Sequence, residues 1–308
     1  MKRLAFRAMG SRMLAALDNP SPEAQRALQR VPAWFEEWEQ ALSRFRDGSE
    51  LNRLNRSSGR AFAVSQALWE VFHAAREAEA YTGGLVRPTM LAALVEAGYD
   101  RSFELLRTEG RVPPAALLDG PRSTSEIRWD EGSRTLRVPE SVQLDFGGVA
   151  KGWAAQKAVE RLAQYGPALV DAGGDVAVSG PNAEGRPWAI GICDPFQPDT
   201  HFETLGVKCG GVATSGTDYH RWLQGGVWNH HLIDPATGLP AETDVLTATV
   251  IAPDAMRAEA AAKAATIAGS LSGLEWLEAD ETLAGVLVLQ SGETIYSRRM
   301  PAYLWRSS

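Results

Sequence analysis

The stretch LDFGGVAKG, residues 144–152, decides how this chain reads. A strand-like run gives way to two adjacent glycines, and a lysine stands just before a third. Three further turns of the same make follow: VDAGGD at 170–175, ATSGTDYH at 213–220 and HHLIDPATGLP at 230–240. Glycine lets main-chain N–H groups approach a ligand closely. A lysine beside such a turn suits a phosphate. Four such turns in one chain point to a single convergent site for a large phosphorylated cofactor.

Working outward, residues 152–165 carry an amphipathic pattern ended by Gly166. A helix therefore begins where the glycine pair and Lys151 stand, with its positive end beside them. Strands are expected at 168–171, 176–178, 188–193, 204–209 and 246–252. An alanine-rich helix over 254–268 closes at Gly269, followed by a short helix near 274–278 and strands at 284–289 and 294–297. Upstream, Ser21 caps a helix with Pro22 at its first position, running through Trp34, Phe35, Trp38 and Leu42 toward Phe45. A second helix spans 66–81 and stops at Gly83 and Gly84. Residues 98–125, with Pro113, Pro114, Asp119, Gly120 and Pro121, read as a connector with turns. Two short strands follow near 126–130 and 135–138, joined by a turn at Glu131 and Gly132. The mixture is α+β, a largely antiparallel sheet framed by long helices. One domain over 1–308 with a two-lobed organisation accommodates it.

With 44% hydrophobic and 22% charged residues, the composition is that of a globular protein. A net charge of -7 argues against a general grip on nucleic acid, which needs a basic stripe. No apolar run is long enough to cross a bilayer. The opening basic residues Lys2, Arg3, Arg7 and Arg12 precede no apolar stretch, so 1–18 makes a poor secretory signal. The expectation is a cytoplasmic protein with no membrane or nucleic-acid partner. Cys193 and Cys209 are too few for a disulfide framework or a zinc site, and are expected as buried strand residues.

Tempting partial matches fail. DFG at 145–147 lacks the companion loops of a kinase. GGVAKGW is not a phosphate loop of the GxxxxGK[ST] kind, because Trp153 stands where a hydroxyl would bind magnesium. Thr214, Ser215 and Asp218 around Gly216 would, alone, be a polar hairpin turn. His230 and His231, read on a strand, point to opposite faces, so at most one serves a given site. The weight lies in the ensemble.

That ensemble resembles the ApbE family, flavin transferases that move FMN from FAD onto a threonine or serine hydroxyl of an acceptor protein. MGS at 9–11 resembles the family's opening MGT. SRFRDGSELNRLN, with Ser43, Ser49 and Asn55, resembles its serine-to-asparagine motif, and GGLVRPTM resembles its GxFDxT. LDFGGVAKG, LVDAGGD, WAIGICDP, VATSG and HLIDPATG then come in the family's order, covering nearly the whole chain.

The resemblance implies an ApbE-like, T-fold-related architecture with FAD in a cleft between two lobes. It assigns cofactor contacts to Met9, Ser43, Asn55, Thr89, Asp145, Gly147, Gly148, Lys151, Asp175, Thr214, Ser215 and Asp234. Catalytic roles fall to Lys151 and to His231, which would assist removal of the acceptor proton. It also implies magnesium held by the carbonyl of Ala150 and by two side chains of an ADAxxT helix. Here that helix reads AEAAAKAA, with Glu259 in the aspartate position and Lys263 in the threonine position. Three readings follow: a surface salt bridge on a helix without a metal role, Glu259 retained as a magnesium ligand, or the Lys263 ammonium standing where the metal would sit. Arg87 replaces the aspartate of GxFDxT, and would contact a phosphate or face solvent. The same residues also admit a relative that binds FAD without transfer, or one that hydrolyses FAD to FMN and AMP.

Overall fold

The computed structural model describes residues 1–57, 59–103, 106, 123–224 and 226–306. The chain forms two compact units. The first comprises Met1–Phe35, Lys151–Asp218 and Thr243–Ser308, and the second Glu36–Ala150 and Tyr219–Glu242.

An eight-stranded sheet organises the first unit. Its order is Lys2–Ala8, Ser11–Leu17, Ala168–Ala172, Asp175–Val178, Gly210–Gly216, Val245–Ala252, Ala284–Leu289 and Thr294–Tyr296. Every neighbouring pair is antiparallel, as the α+β reading requires. One face carries the Ala255–Ala279 helix, packed mainly on the adjacent inner strands Gly210–Gly216 and Val245–Ala252. The other face buries Val176, Val178, Val212, Ile251 and Val286 with Trp188, Ile192, Leu205 and Val207 of the Trp188–Asp194 and Gln197–Val207 hairpin. Each such side chain, fully buried, stabilises the fold by roughly 1.5–3 kcal/mol.

The first two strands were not foreseen; only their basic residues and the MGS at 9–11 drew notice. They join through Met9 (φ 47°) and Gly10 (φ 70°), two left-handed residues in succession, as a two-residue hairpin requires. The stretch 213–220 was read as a turn, but its first four residues belong to the Gly210–Gly216 strand. That strand's glycines serve close packing: a Cβ on Gly211 would lie 2.4 Å from the backbone of Ala255.

Two helix boundaries moved. The helix beginning at Pro22 breaks into Pro22–Gln29 and Val31–Leu42, because Pro32 cannot continue a helix already running but suits the first turn of a new one. The helix read as 152–165 is Ala150–Ala163, since the Val149 and Ala150 N–H groups already reach the Phe146 carbonyl. Asp254 caps the Ala255–Ala279 helix by accepting from Arg257 N at 2.8 Å. The expected stop at Gly269 is a kink: with φ 81° and ψ 172° it interrupts the helix. Asp244 then accepts from both Ser270 N and Ser270 Oγ to restart it.

The second unit holds the helices Glu50–Asn55, Gln66–Tyr81 and Leu91–Glu96, the first two capped by Ser49 and Ser65. A small sheet orders Phe62–Ala63, Thr135–Arg137 and Arg128–Asp130. Hairpins pair Arg221–Gln224 with Val227–His230 and Ile233–Asp234 with Leu239–Pro240. The turns expected at Pro113, Pro114, Asp119, Gly120 and Pro121 lie outside the described residues. Both cysteines are exposed rather than buried; Cys193 falls on the outward phase of its strand, opposite buried Ile192. Among the described residues, no helix is long and apolar enough to cross a membrane.

Candidate functional site

Four charged side chains converge in the first unit. Lys151, in the first turn of the Ala150–Ala163 helix, forms an ion pair with Asp175, which is 1% exposed. Asp175 sits opposite Ala213 in the sheet. Cross-strand partners share a face, and that face, marked by Gly211, is the one under the Ala255–Ala279 helix. From that helix come Glu259, fully buried, and Lys263, 7% exposed. Glu259 Oε1 accepts from Lys263 Nζ at 2.8 Å, and Oε2 accepts from Gly152 N at 2.8 Å.

The charges tune one another. Burial, then the Glu259 charge, pushes Asp175 above the usual aspartate range, against the pull of both lysines. Burial opposes ionisation of Glu259 too, but Lys263 and Lys151 prevail and hold it below the usual glutamate range. Burial likewise disfavours the Lys151 ammonium, yet Asp175 and Glu259 keep it above the ordinary lysine value. Lys151 and Lys263 thus meet Asp175 and Glu259, with Asp171 also in the field of Lys151, in a largely buried setting where fixed charges act strongly.

Thr214 and Ser215 diverge. Ser215 is buried on the helix-facing side with Gly211 and Ala213. Thr214 is exposed on the opposite face, its hydroxyl 2.8 Å from that of Thr249. Their side chains do not address one ligand together. Met9 lies in the first hairpin turn.

In the second unit the glycine turn is clamped by side chains assigned above to the cofactor. Asn55 donates to Leu144 O at 2.9 Å and accepts from Leu144 N at 2.8 Å, extending the backbone pairing of a strand. Asp145 accepts from Gly147 N at 2.5 Å and from Arg44 Nε at 2.5 Å. Its own N–H reaches the Pro88 carbonyl, beside buried Thr89. Gly148 continues the turn into Ala150. Ser43 accepts from Phe45 N, a local turn. Arg87 is engaged locally: it donates to Gly84 O and lies 3.9 Å from Glu79.

His231 sits on a bend after the Val227–His230 strand, not on the strand as expected. Its ring meets that of His220 edge-on at 5.1 Å. His230 is occupied structurally, with Nε2 3.1 Å from Ala241 O and Nδ1 accepting from Leu232 N; burial holds it below the usual histidine value. Asp234 closes the next turn, accepting from Ala236 N at its carboxylate and from Gly238 N at its carbonyl.

The model of the ApbE family matches residues 9–287. The chain belongs to the ApbE family. It is 31% identical over 274 residues to the FAD:protein FMN transferase of Treponema pallidum, covering 81% of this chain and 73% of that protein. It is 27% identical over 268 residues to the enzyme of that name from Salmonella typhimurium, covering 85% and 76%. Among solved structures, the ApbE protein of Thermotoga maritima superposes with a TM-score of 0.86 at 24% identity, covering 99% of both chains. The flavinyl transferase ApbE of Pseudomonas stutzeri, apo form, gives 0.79 at 24% identity, covering 99% and 97%.

In this ApbE chain the side chains at 259 and 263 do not suit magnesium. That ion takes oxygen ligands in near-octahedral array. Both oxygens of Glu259 are engaged, and position 263 offers an ammonium instead of an oxygen. Among the described residues, no group of three or more His, Cys, Asp or Glu side chains could hold a metal. The surface salt-bridge reading fails as well, because both partners are buried. Sequence reasoning missed Gly152 and Arg44. Gly152 had a signal in the family motif: a Cβ there would lie 2.7 Å from Ala255 O and 2.8 Å from Glu259 Oε2. Arg44 had none.

Proposed function

We propose that this ApbE chain transfers FMN from FAD to a serine or threonine hydroxyl of an acceptor protein, releasing AMP. The observation that carries this reading is the family match over 9–287, with relatives named FAD:protein FMN transferase. The buried charge cluster supplies the chemistry such a reaction demands. The acceptor oxygen bonds to the FMN-side phosphorus, the bridging P–O bond breaks, and AMP leaves with the electron pair. Such a displacement needs its diphosphate charge neutralised and its nucleophile aligned, and little else from the protein.

In this proposal Lys151 and Lys263 neutralise the diphosphate, and Ser215 lies on the same sheet face. His231 takes the acceptor proton. Gly147 and Gly148 offer backbone N–H groups, while Asn55 and Asp145 hold that turn in shape rather than touching FAD. No step is routed through magnesium, since the side chains do not fit it. The relatives' shared name favours transfer over binding alone or hydrolysis.

The test is incubation of the full chain with FAD and a flavin-accepting protein domain. The expected outcome is a fluorescent acceptor band that survives denaturation, with AMP in solution. Retention of intact FAD with neither product would overturn the proposal.

A further inference from the structure

Lys263 is an unusual residue to bury. Its neighbours along the helix are alanines from 260 to 262 and at 264 and 265, which offer the charge no polar company. A buried ammonium persists only where compensated. Here one carboxylate, Glu259, accepts one of its three N–H donors at 2.8 Å, and its side chain stays 9% open.

The carboxylate that holds it is fixed from the other side. Glu259 Oε2 takes the Gly152 N–H, an approach that only glycine at 152 permits. Glu259 is therefore oriented by the backbone, and Lys263 by Glu259. Next to them the Lys151 and Asp175 pair, with Asp171 also in the field of Lys151, completes a set in which each buried carboxylate already has a lysine beside it. Such a set differs from an acidic cluster, which attracts a cation. It already contains its cations, Lys263 almost wholly buried and Lys151 partly open to water. An incoming divalent ion would have to displace an ammonium from a buried carboxylate, a costly exchange.

We propose that the Lys263 ammonium is the resident cation of this site, binding the diphosphate of FAD in place of a divalent metal, so that the chain handles FAD without added metal. The proposal rests on the FAD reading above and deepens it. Lys263 is a binding residue for the anion, held in position by Glu259 and Gly152.

The experiment uses the full chain stripped with EDTA, with two readouts: FAD affinity by flavin fluorescence, and Mn2+ binding by electron paramagnetic resonance. The wild-type chain is expected to bind FAD equally in EDTA and in magnesium, and to leave the free Mn2+ signal intact. Lys263→Thr should bind FAD about tenfold or more weakly in EDTA, the loss of a charge-assisted hydrogen bond, and gain Mn2+ binding. Lys263→Arg, which keeps the cation, should retain metal independence. Loss of wild-type FAD binding in EDTA with recovery in magnesium would overturn the proposal, as would Mn2+ binding by the wild type. Absence of FAD binding in both buffers would condemn the FAD reading itself, and the Mn2+ signal would still decide whether Lys263 excludes a metal.

Discussion

Lys263 Nζ lies 2.8 Å from Glu259 Oε1 in a part of the Ala255–Ala279 helix where Glu259 is fully buried and Lys263 is 7% exposed. Spacing of four on one helix makes such a pair ordinary on a surface, worth a few tenths of a kcal/mol. Burial changes its meaning. The pair is fixed by Gly152 on one side and shares its field with Lys151 and Asp175.

Removing one member of the neighbouring pair should expose that coupling. Lys151→Met leaves Asp175, 1% exposed, without its nearest cation. The expected loss is about 3 kcal/mol, the lower end for a broken buried pair because Lys151 keeps partial access to water. The double variant Lys151→Met with Asp175→Leu should recover most of it. Urea unfolding of the four members of this cycle measures the coupling directly.

Stability should carry a pH signature from Asp175. Its folded pKa is raised, to about 6, by burial and then by Glu259. The folded chain therefore holds a proton there that the unfolded chain has lost. This contribution is fully present below the usual aspartate value and is lost as pH rises through the folded one. Comparison of wild type and Asp175→Asn by chemical denaturation between about pH 4 and 7 should isolate that fall. A difference that stays flat across the range would refute it.

Gly152→Ala should disturb the site from a distance. The added methyl would meet Ala255 O at 2.7 Å, a backbone atom that cannot swing aside, and Glu259 Oε2 at 2.8 Å. A cost of about 1–3 kcal/mol is expected from overpacking. FAD affinity should drop with it, because the methyl pushes the Glu259 carboxylate away from the residue 152 N–H that orients it. Full affinity in a destabilised variant would separate the two effects and argue against the positioning role.

Asn55 makes the opposite prediction. Both halves of its amide are spent on the backbone of Leu144, so Asn55→Ala should cost about 1–3 kcal/mol through unmet backbone groups. At temperatures where the variant stays folded, FAD affinity should change little. A large affinity loss with unchanged stability would return Asn55 to the cofactor.

These cases show what the sequence carries plainly and what it hides. Local signals were legible: Ser21 caps the helix that begins at Pro22, and Gly269 breaks its helix where glycine should. The antiparallel sheet followed from alternating strands between turns. The first hairpin was obscured because Lys2–Ala8 is an edge strand with mostly exposed or half-buried residues. Motif order identified the family, but not which polar residues face a ligand. Asn55, Asp145 and Arg87 each find partners along the chain or far from themselves in it, and spacing says nothing of such partners. Likewise, the pairing of Glu259 with Lys263 was evident from their separation, whereas their burial depends on the sheet beneath.

The most direct measurement of the transfer reaction follows three products of one incubation over time: AMP, free FMN and acceptor-bound flavin. Transfer requires AMP and bound flavin to rise together in equal amounts, with free FMN negligible. AMP matched by free FMN, leaving the acceptor unlabelled, would instead make water the nucleophile and contradict the account.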